Sequence, residues 1–220
     1  MKLIIGNKNY SSWSLRPWIA LKVAGIAFEE EVISLDAKDF KARVSKVSGT
    51  GKVPALADGN VHVWESLAIL EYLAEKYPFA RLWPADPAAR AFARAIASEM
   101  HAGFVPLRRH LPMNMRRPVV PRQLTPEAQA NVRRIEAIWT DCRTRYDGAF
   151  LFGSFSAADA MYAPVVSRFH TYAVEVGAVA RAYMDEVMAL PAWGEWRAAA
   201  LAEPWVLPED EVDWPTVVRV

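Results

Sequence analysis

Apolar and polar positions follow two different rhythms along the chain, and the change falls near residue 80. Lys2 to Gly6 is a short apolar run that predicts a buried strand. Ser14 to Ala24 predicts a helix with Leu15, Trp18, Ile19 and Val23 on one face. Ser14 is the expected cap, Pro17 falls in the first turn, and Gly25 ends the helix. Phe28 to Ser34 predicts a second strand, and the charged stretch 36–47 no more than a loose helix. Val53–Ala57 and Val61–Trp64 predict a hairpin around Asp58-Gly59-Asn60. Ser66 to Tyr77 predicts a helix stopped by Pro78. A βαβ unit, a loose helix and then ββα is the order of a compact α/β layer structure.

Beyond residue 86 the period is helical throughout. Asp86-Pro87 opens a helix on which Ala89, Phe92, Ala93, Ile96, Met100 and Phe104 recur on one side. Thr125-Pro126-Glu127 opens another, with Ile135, Ile138, Trp139, Cys142 and Tyr146 inward. Ser156-Ala157-Ala158-Asp159 has the spacing of a capping box and starts a helix running toward Val176, with Pro164 as a possible kink. Two shorter helices are expected at about 178–189 and 192–203. Tyr77-Pro78, Trp83-Pro84 and Asp86-Pro87 punctuate the change, so the expected domains are 1–79, α/β, and 87–220, all helical. Side-chain usage agrees: all eight lysines precede residue 81, and sixteen of the eighteen arginines follow residue 80.

Composition narrows the function classes. With 53% hydrophobic residues and a net charge of +1, disorder and general nucleic-acid binding are excluded. No apolar run is long enough to span a membrane, and Met1 to Lys8 turns polar too soon for a signal peptide, so a soluble cytoplasmic protein is expected. The single cysteine, Cys142, is read as a small core residue. His62, His101, His110 and His170 have no ligand spacing, so no metal is expected; His101 is read as packed or superficial, near the border of a cleft.

Three short segments carry candidate chemistry. Ser11-Ser12-Trp13-Ser14 joins the first strand to the first helix, where free N–H groups and the helix dipole favour an anion. Capping accounts for one serine, and three in four residues exceed that need. In Lys52-Val53-Pro54-Ala55-Leu56, a cis Val53–Pro54 bond would expose the Val53 N–H and C=O to a peptide-like ligand as an added strand. X–Pro base rates alone favour trans. Glu65-Ser66 ends a strand and begins a helix; the acid suits an ammonium, and the serine with the helix N–H groups suits a carboxylate. A cap beside a solvated acid is the plainer alternative.

These segments, with Glu65-Ser66-Leu67-Ala68-Ile69-Leu70-Glu71-Tyr72-Leu73 and Ser156-Ala157-Ala158-Asp159-Ala160, resemble the glutathione transferase family over nearly the whole chain. The serine run is most similar to the zeta class, which includes maleylacetoacetate isomerases and has cysteine where this chain has Trp13. The resemblance implies a thioredoxin-like domain followed by a helical one, a homodimer, glutathione as co-substrate and a role in detoxification. It implies Ser11, with Ser12 beside it, as hydrogen-bond donor to the glutathione sulfur, and Pro54 in cis. It further implies Val53 on the cysteinyl backbone, Glu65 and Ser66 on the γ-glutamyl end, Lys52 and Trp13 as further glutathione contacts, and Ser156 with Asp159 as a folding cap box.

The chemistry is sufficient on its own terms. A thiol of pKa ~8.5 is mostly protonated at neutral pH, and lowering it by about two units requires roughly 2.7 kcal/mol. One hydroxyl hydrogen bond to a charged acceptor supplies about 1.5–3 kcal/mol, and a helix N-terminus about 0.3–1 kcal/mol. The serine is therefore a donor, not a nucleophile. The stretch 100–126 has no acid and holds Arg108, Arg109, His110, Arg116, Arg117 and Arg122 among Met100, Phe104, Met113 and Met115. It is read either as a solvated basic face at a helix end or as a wall for an apolar electrophile with an anionic group, contacted by Met100, Phe104, Arg108 and Arg109. The rivals to a transferase are a zeta-type cis–trans isomerase and a non-catalytic binding protein on the same scaffold. A thiol–disulfide oxidoreductase would need a cysteine at positions 11–14, and none is there.

Overall fold

The computed structural model describes residues 1–212. Four strands, β1 (Lys2–Ile5), β2 (Glu29–Val32), β3 (Ala55–Asp58) and β4 (Val61–Trp64), form a sheet in the order β2-β1-β3-β4. β1 runs parallel to β2, with Ile5 opposite Val32, and antiparallel to β3, with Leu3 opposite Leu56. The β3–β4 hairpin pairs Ala55 with Trp64 and turns at Gly59. β2 reads Glu-Glu-Glu-Val on a sheet edge, and its charge blunts that edge against further pairing.

Helix α1 (Ser12–Val23) crosses from β1 to β2 and buries Leu15, Trp18 and Ile19. Its start corrects the sequence reading. The helix opens at Ser12, with Ser11 at the cap position and no side-chain cap. Ser14 instead turns inward and accepts from the Gly6 N–H at 3.1 Å, an amide that the end of β1 leaves unpaired. Pro17 thus lies in the helix interior, so Trp13 keeps a carbonyl without its usual i+4 donor. Val23, assigned to the apolar face, is 36% exposed. The end is as read: Gly25 has φ +66°, and the Gly25 and Ile26 N–H groups close on Lys22 and Leu21. The loose helix is the short α2 (Phe40–Val44), and α3 (Ser66–Lys76) closes the layer.

The helical part follows a connection at 77–86. α4 (Pro87–Ala102) is capped by Asp86, which accepts from the Ala89 N–H at 2.8 Å. It stops short of Phe104: Gly103 turns extended, a conformation in which a Cβ would lie 2.7 Å from the Glu99 carbonyl, and Phe104 has φ +58°. No periodicity predicts α5 (Val105–His110), a six-residue helix starting at a Val-Pro step. α6 (Pro126–Arg145) is capped by Thr125, α7 (Ala157–Thr171) by the Ser156–Asp159 box, and α8 (Ala178–Met188) and α9 (Pro191–Ala202) complete the set. α7 is buried along nearly its whole length, contains Pro164, ends five residues before Val176, and packs on α1 and α4. Cys142 is fully buried, and burial pushes its thiol up to about 12. It should stay unmodified by iodoacetamide in the native protein and react once denatured; mass spectrometry showing fast native labelling would contradict this. Among the described residues no helix is long and apolar enough to cross a membrane.

Candidate active site

The turn from Gly6 to Ser11 is held from three sides. Asn7 accepts from the Leu35 N–H at 2.8 Å, and its carbonyl accepts from the Ser11 N–H at 2.7 Å. The Asn9 amide donates to Asn114 at 3.0 Å and accepts from the Arg116 N–H at 2.9 Å. Glu203, beyond α9, accepts from the Lys8 N–H at 2.6 Å and the Asn9 N–H at 3.0 Å. Burial raises the Glu203 carboxyl while these two N–H groups and the nearby cations lower it. The turn delivers Ser11 and Ser12 to the N-terminus of α1.

The two serines differ. Ser11 Oγ donates to Ser14 Oγ at 2.7 Å. Ser12 borders the cleft, and among the described residues no protein group hydrogen-bonds its hydroxyl. The cleft has a volume of about 380 Å³ and is lined by Ser11, Ser12, Trp13, Val53, Arg108 and Arg168, with Lys52 at one end. A second cavity of about 160 Å³ shares Trp13, Lys52 and Val53 with it and is bordered by Pro54, Glu65 and Ser66. The Val53–Pro54 bond is cis, and Glu65 holds φ +71° just before α3.

Trp13 borders both cavities, and cations surround it. The Arg16 guanidinium lies 4.0 Å from its ring centroid and that of Arg108 5.2 Å, while the His101 ring meets it edge-on at 5.3 Å. Arg16 is wholly buried and donates through Nε to the Met161 carbonyl at 3.2 Å. Burial, then Arg168 and Arg108, pull the Arg16 pKa well down. Burial and the neighbouring Arg108 bring Arg168 down to about 10. Burial, Arg16 and Arg108 lower His101, opposed by Glu65, whose carboxylate lies 3.5 Å from Nε2. The site is a region of concentrated positive potential around an aromatic wall.

Of the residues singled out from sequence, Ser11, Ser12, Trp13, Lys52, Val53 and Arg108 meet in the larger cleft, and Pro54, Glu65 and Ser66 adjoin it. Met100 and Phe104 are packed in the helical core, and Arg109 is exposed; none of the three lines either cavity. Arg108 also donates to the Met100 carbonyl at 3.2 Å, so it closes the end of α4 while facing the cleft. Sequence reasoning did not find Tyr10, Arg168 and Asp210 on the cleft wall. Arg168 could have been flagged as the one charge in the middle of an otherwise apolar helical run.

A family model for the glutathione S-transferase N-terminal domain matches residues 10–76, and one for the C-terminal domain matches residues 90–199. The chain belongs to the glutathione S-transferase family. Within that family it is 40% identical over 98 residues to a probable maleylacetoacetate isomerase of Caenorhabditis elegans, covering 44% of this chain and 45% of the relative. It is 39% identical over 100 residues to the maleylacetoacetate isomerase of Rattus norvegicus, covering 44% and 46%. The match thus spans about half the length of these curated relatives. Among solved structures, a holo maleyl pyruvate isomerase, a bacterial zeta-class glutathione S-transferase, superposes with a TM-score of 0.70 at 25% identity, covering 94% of this chain and all of that one. The transferase fold, with its mixed four-stranded sheet and helical second part, is therefore as the motifs implied.

Proposed function

We propose that the chain is a glutathione-dependent transferase that ionises the glutathione thiol beside Ser12 and directs it at an electrophile carrying an anionic group. The α/β residues 1–79 hold the tripeptide, and the helical residues from 87 to 212 supply the opposite wall. The observation that carries this reading is the pair of joined cavities, one bordered by Glu65 and Ser66, the other by a free serine hydroxyl and two arginines. Glu65 takes the γ-glutamyl ammonium, and the open N–H groups at the start of α3 take its carboxylate. The Val53 backbone pairs with the cysteinyl residue, with Lys52 and Trp13 beside it. That leaves the sulfur at the N-terminus of α1, where Ser12 donates to it and Ser11 stands next to Ser12. The helix N-terminus and the positive surroundings favour thiolate over thiol. Arg108 and Arg168 suit a carboxylate on the electrophile. A homodimer belongs to the same proposal: Val61, Trp64 and Phe79 are exposed apolar side chains that a second copy can cover.

The names of the relatives favour one second reading, a cis–trans isomerase. There the thiolate adds to an alkene carbon, the C=C π pair moves onto the neighbouring carbon, the single bond rotates, and the thiolate leaves as the double bond re-forms. Glutathione is consumed in the first reading and returned in the second.

The test is to measure glutathione consumption with chlorodinitrobenzene and with a carboxylate-bearing electrophile of similar reactivity. Arg108→Gln should lower kcat/KM for the carboxylated electrophile about 10- to 100-fold, the worth of a charged hydrogen bond, and leave the neutral one within about threefold. Equal behaviour on both electrophiles would remove the anion from the proposal. Absence of saturable glutathione binding would remove the transferase.

A further inference from the structure

The segment after α9 returns across the molecule to the cleft. Arg116 fastens it, donating to the Glu203 carbonyl at 2.7 Å and to the Trp205 carbonyl. Glu203 clasps the serine turn as described, and the Tyr10 hydroxyl donates to Glu211 at 2.6 Å while accepting from Arg116 at 2.9 Å. Between these anchors a single turn at Pro208–Asp210 sets Asp210 into the wall of the larger cleft, beside Arg108 and Arg168. Among the described residues no hydrogen bond or ion pair engages the Asp210 carboxylate, although two guanidinium groups border the same space.

We propose that Asp210 sets how much negative charge the electrophile cleft accepts, acting as a built-in carboxylate that offsets one of the cations lining it and so weakens the binding of a dicarboxylate relative to a neutral electrophile. This rests on the transferase reading above. With Asp210 ionised, Arg108, Arg168 and Lys52 against one carboxylate leave the cleft two positive charges; with Asp210 neutral they leave three. Specificity here is a like-charge penalty added to an attractive site.

The groups facing Asp210 are Arg168 from α7, Arg108 from α5, Lys52 from the loop before β3, Tyr10 from the serine turn, and Glu209 and Glu211 from its own segment. Burial and the acids of its own segment push Asp210 up to about 6, against Arg168. It is therefore charged above that value and neutral below it, and the preference for doubly charged ligands strengthens as pH falls.

Calorimetric dissociation constants test this with two glutathione conjugates, neutral S-hexylglutathione and S-(1,2-dicarboxyethyl)glutathione. At pH 7.5 Asp210→Asn should bind the dicarboxylate about tenfold more tightly than wild type and bind the hexyl conjugate within twofold of it. At pH 5.5 the tenfold difference should shrink to about threefold or less, and comparing the two proteins cancels the titration of the ligand itself. Asp210→Glu should stay within about threefold of wild type. An Asp210→Asn protein that keeps the wild-type ratio of the two conjugates at pH 7.5, or keeps its full advantage at pH 5.5, would overturn the inference while leaving the transferase reading in place. Failure of the wild type to bind S-hexylglutathione at all would overturn both.

Discussion

Exchanging Ser12 for alanine is expected to lower kcat/KM with chlorodinitrobenzene about 10- to 100-fold, while the glutathione dissociation constant moves less than about threefold. The size follows from removing one hydroxyl hydrogen bond to a charged acceptor, about 1.5–3 kcal/mol. Binding is spared because the tripeptide is proposed to be held at Val53, Glu65 and Ser66, at a distance from the sulfur. The thiol pKa of bound glutathione, read from thiolate ultraviolet absorbance, should rise by about one to two units, so the variant recovers part of its rate at alkaline pH. Ser11→Ala removes a different interaction. Its hydroxyl is committed to Ser14, whose oxygen also receives the Gly6 N–H. Losing that bond costs about 1 kcal/mol of local stability and should affect turnover less. The reverse ranking, with Ser11→Ala inactive and Ser12→Ala unimpaired, would transfer the donor role to Ser11.

Asp159→Ala should destabilise the fold by about 3–5 kcal/mol, since each buried donor stranded without an acceptor costs about 1–3 kcal/mol. Asp159 is fully buried and accepts from the Leu151 N–H at 3.0 Å, the Ser156 N–H at 2.8 Å and the Ser156 hydroxyl at 2.7 Å. It anchors both the start of α7 and the loop at 150–154, and α7 is the helix against which α1 packs. For a chain of this length the loss corresponds to a fall in Tm of about 10 °C, measurable by calorimetry. Burial outweighs those three donors and pushes the carboxyl up to about 6. A folded value above the unfolded ~3.9 means that this group contributes stability below the unfolded value and loses it as pH rises through about 6. Asp159→Asn should therefore flatten the decline in stability over that interval. An Asp159→Ala protein melting within about 2 °C of wild type would refute the role.

Features whose partners lie close in sequence were legible without a structure. The Asp86, Thr125 and Ser156–Asp159 caps, the turn at Gly59 and the end of α1 at Gly25 each need only residues within five positions. Ser14 was misread because a serine before an apolar run is normally a cap, and only the folded turn shows that Gly6 and Ser11 claim its oxygen. Met100 carried the right period for the inner face of α4, which faces the core and not the cleft. Arg168 and Asp210 reach the site through the packing of α7 and the return of the segment after α9, and no local pattern encodes either path. The motif residues were legible through their order along the chain; the cavities that join them are a property of the assembled layers.

Glu203 closes on the backbone of Lys8 and Asn9 across 195 and 194 positions. The serine turn is thus complete only when segments far apart in the chain have met, so its geometry depends on the docking of the helical part onto the α/β layer. Loss of the stretch after α9 would leave the Lys8 and Asn9 amides without this clasp, and their hydrogen exchange would report that local loosening.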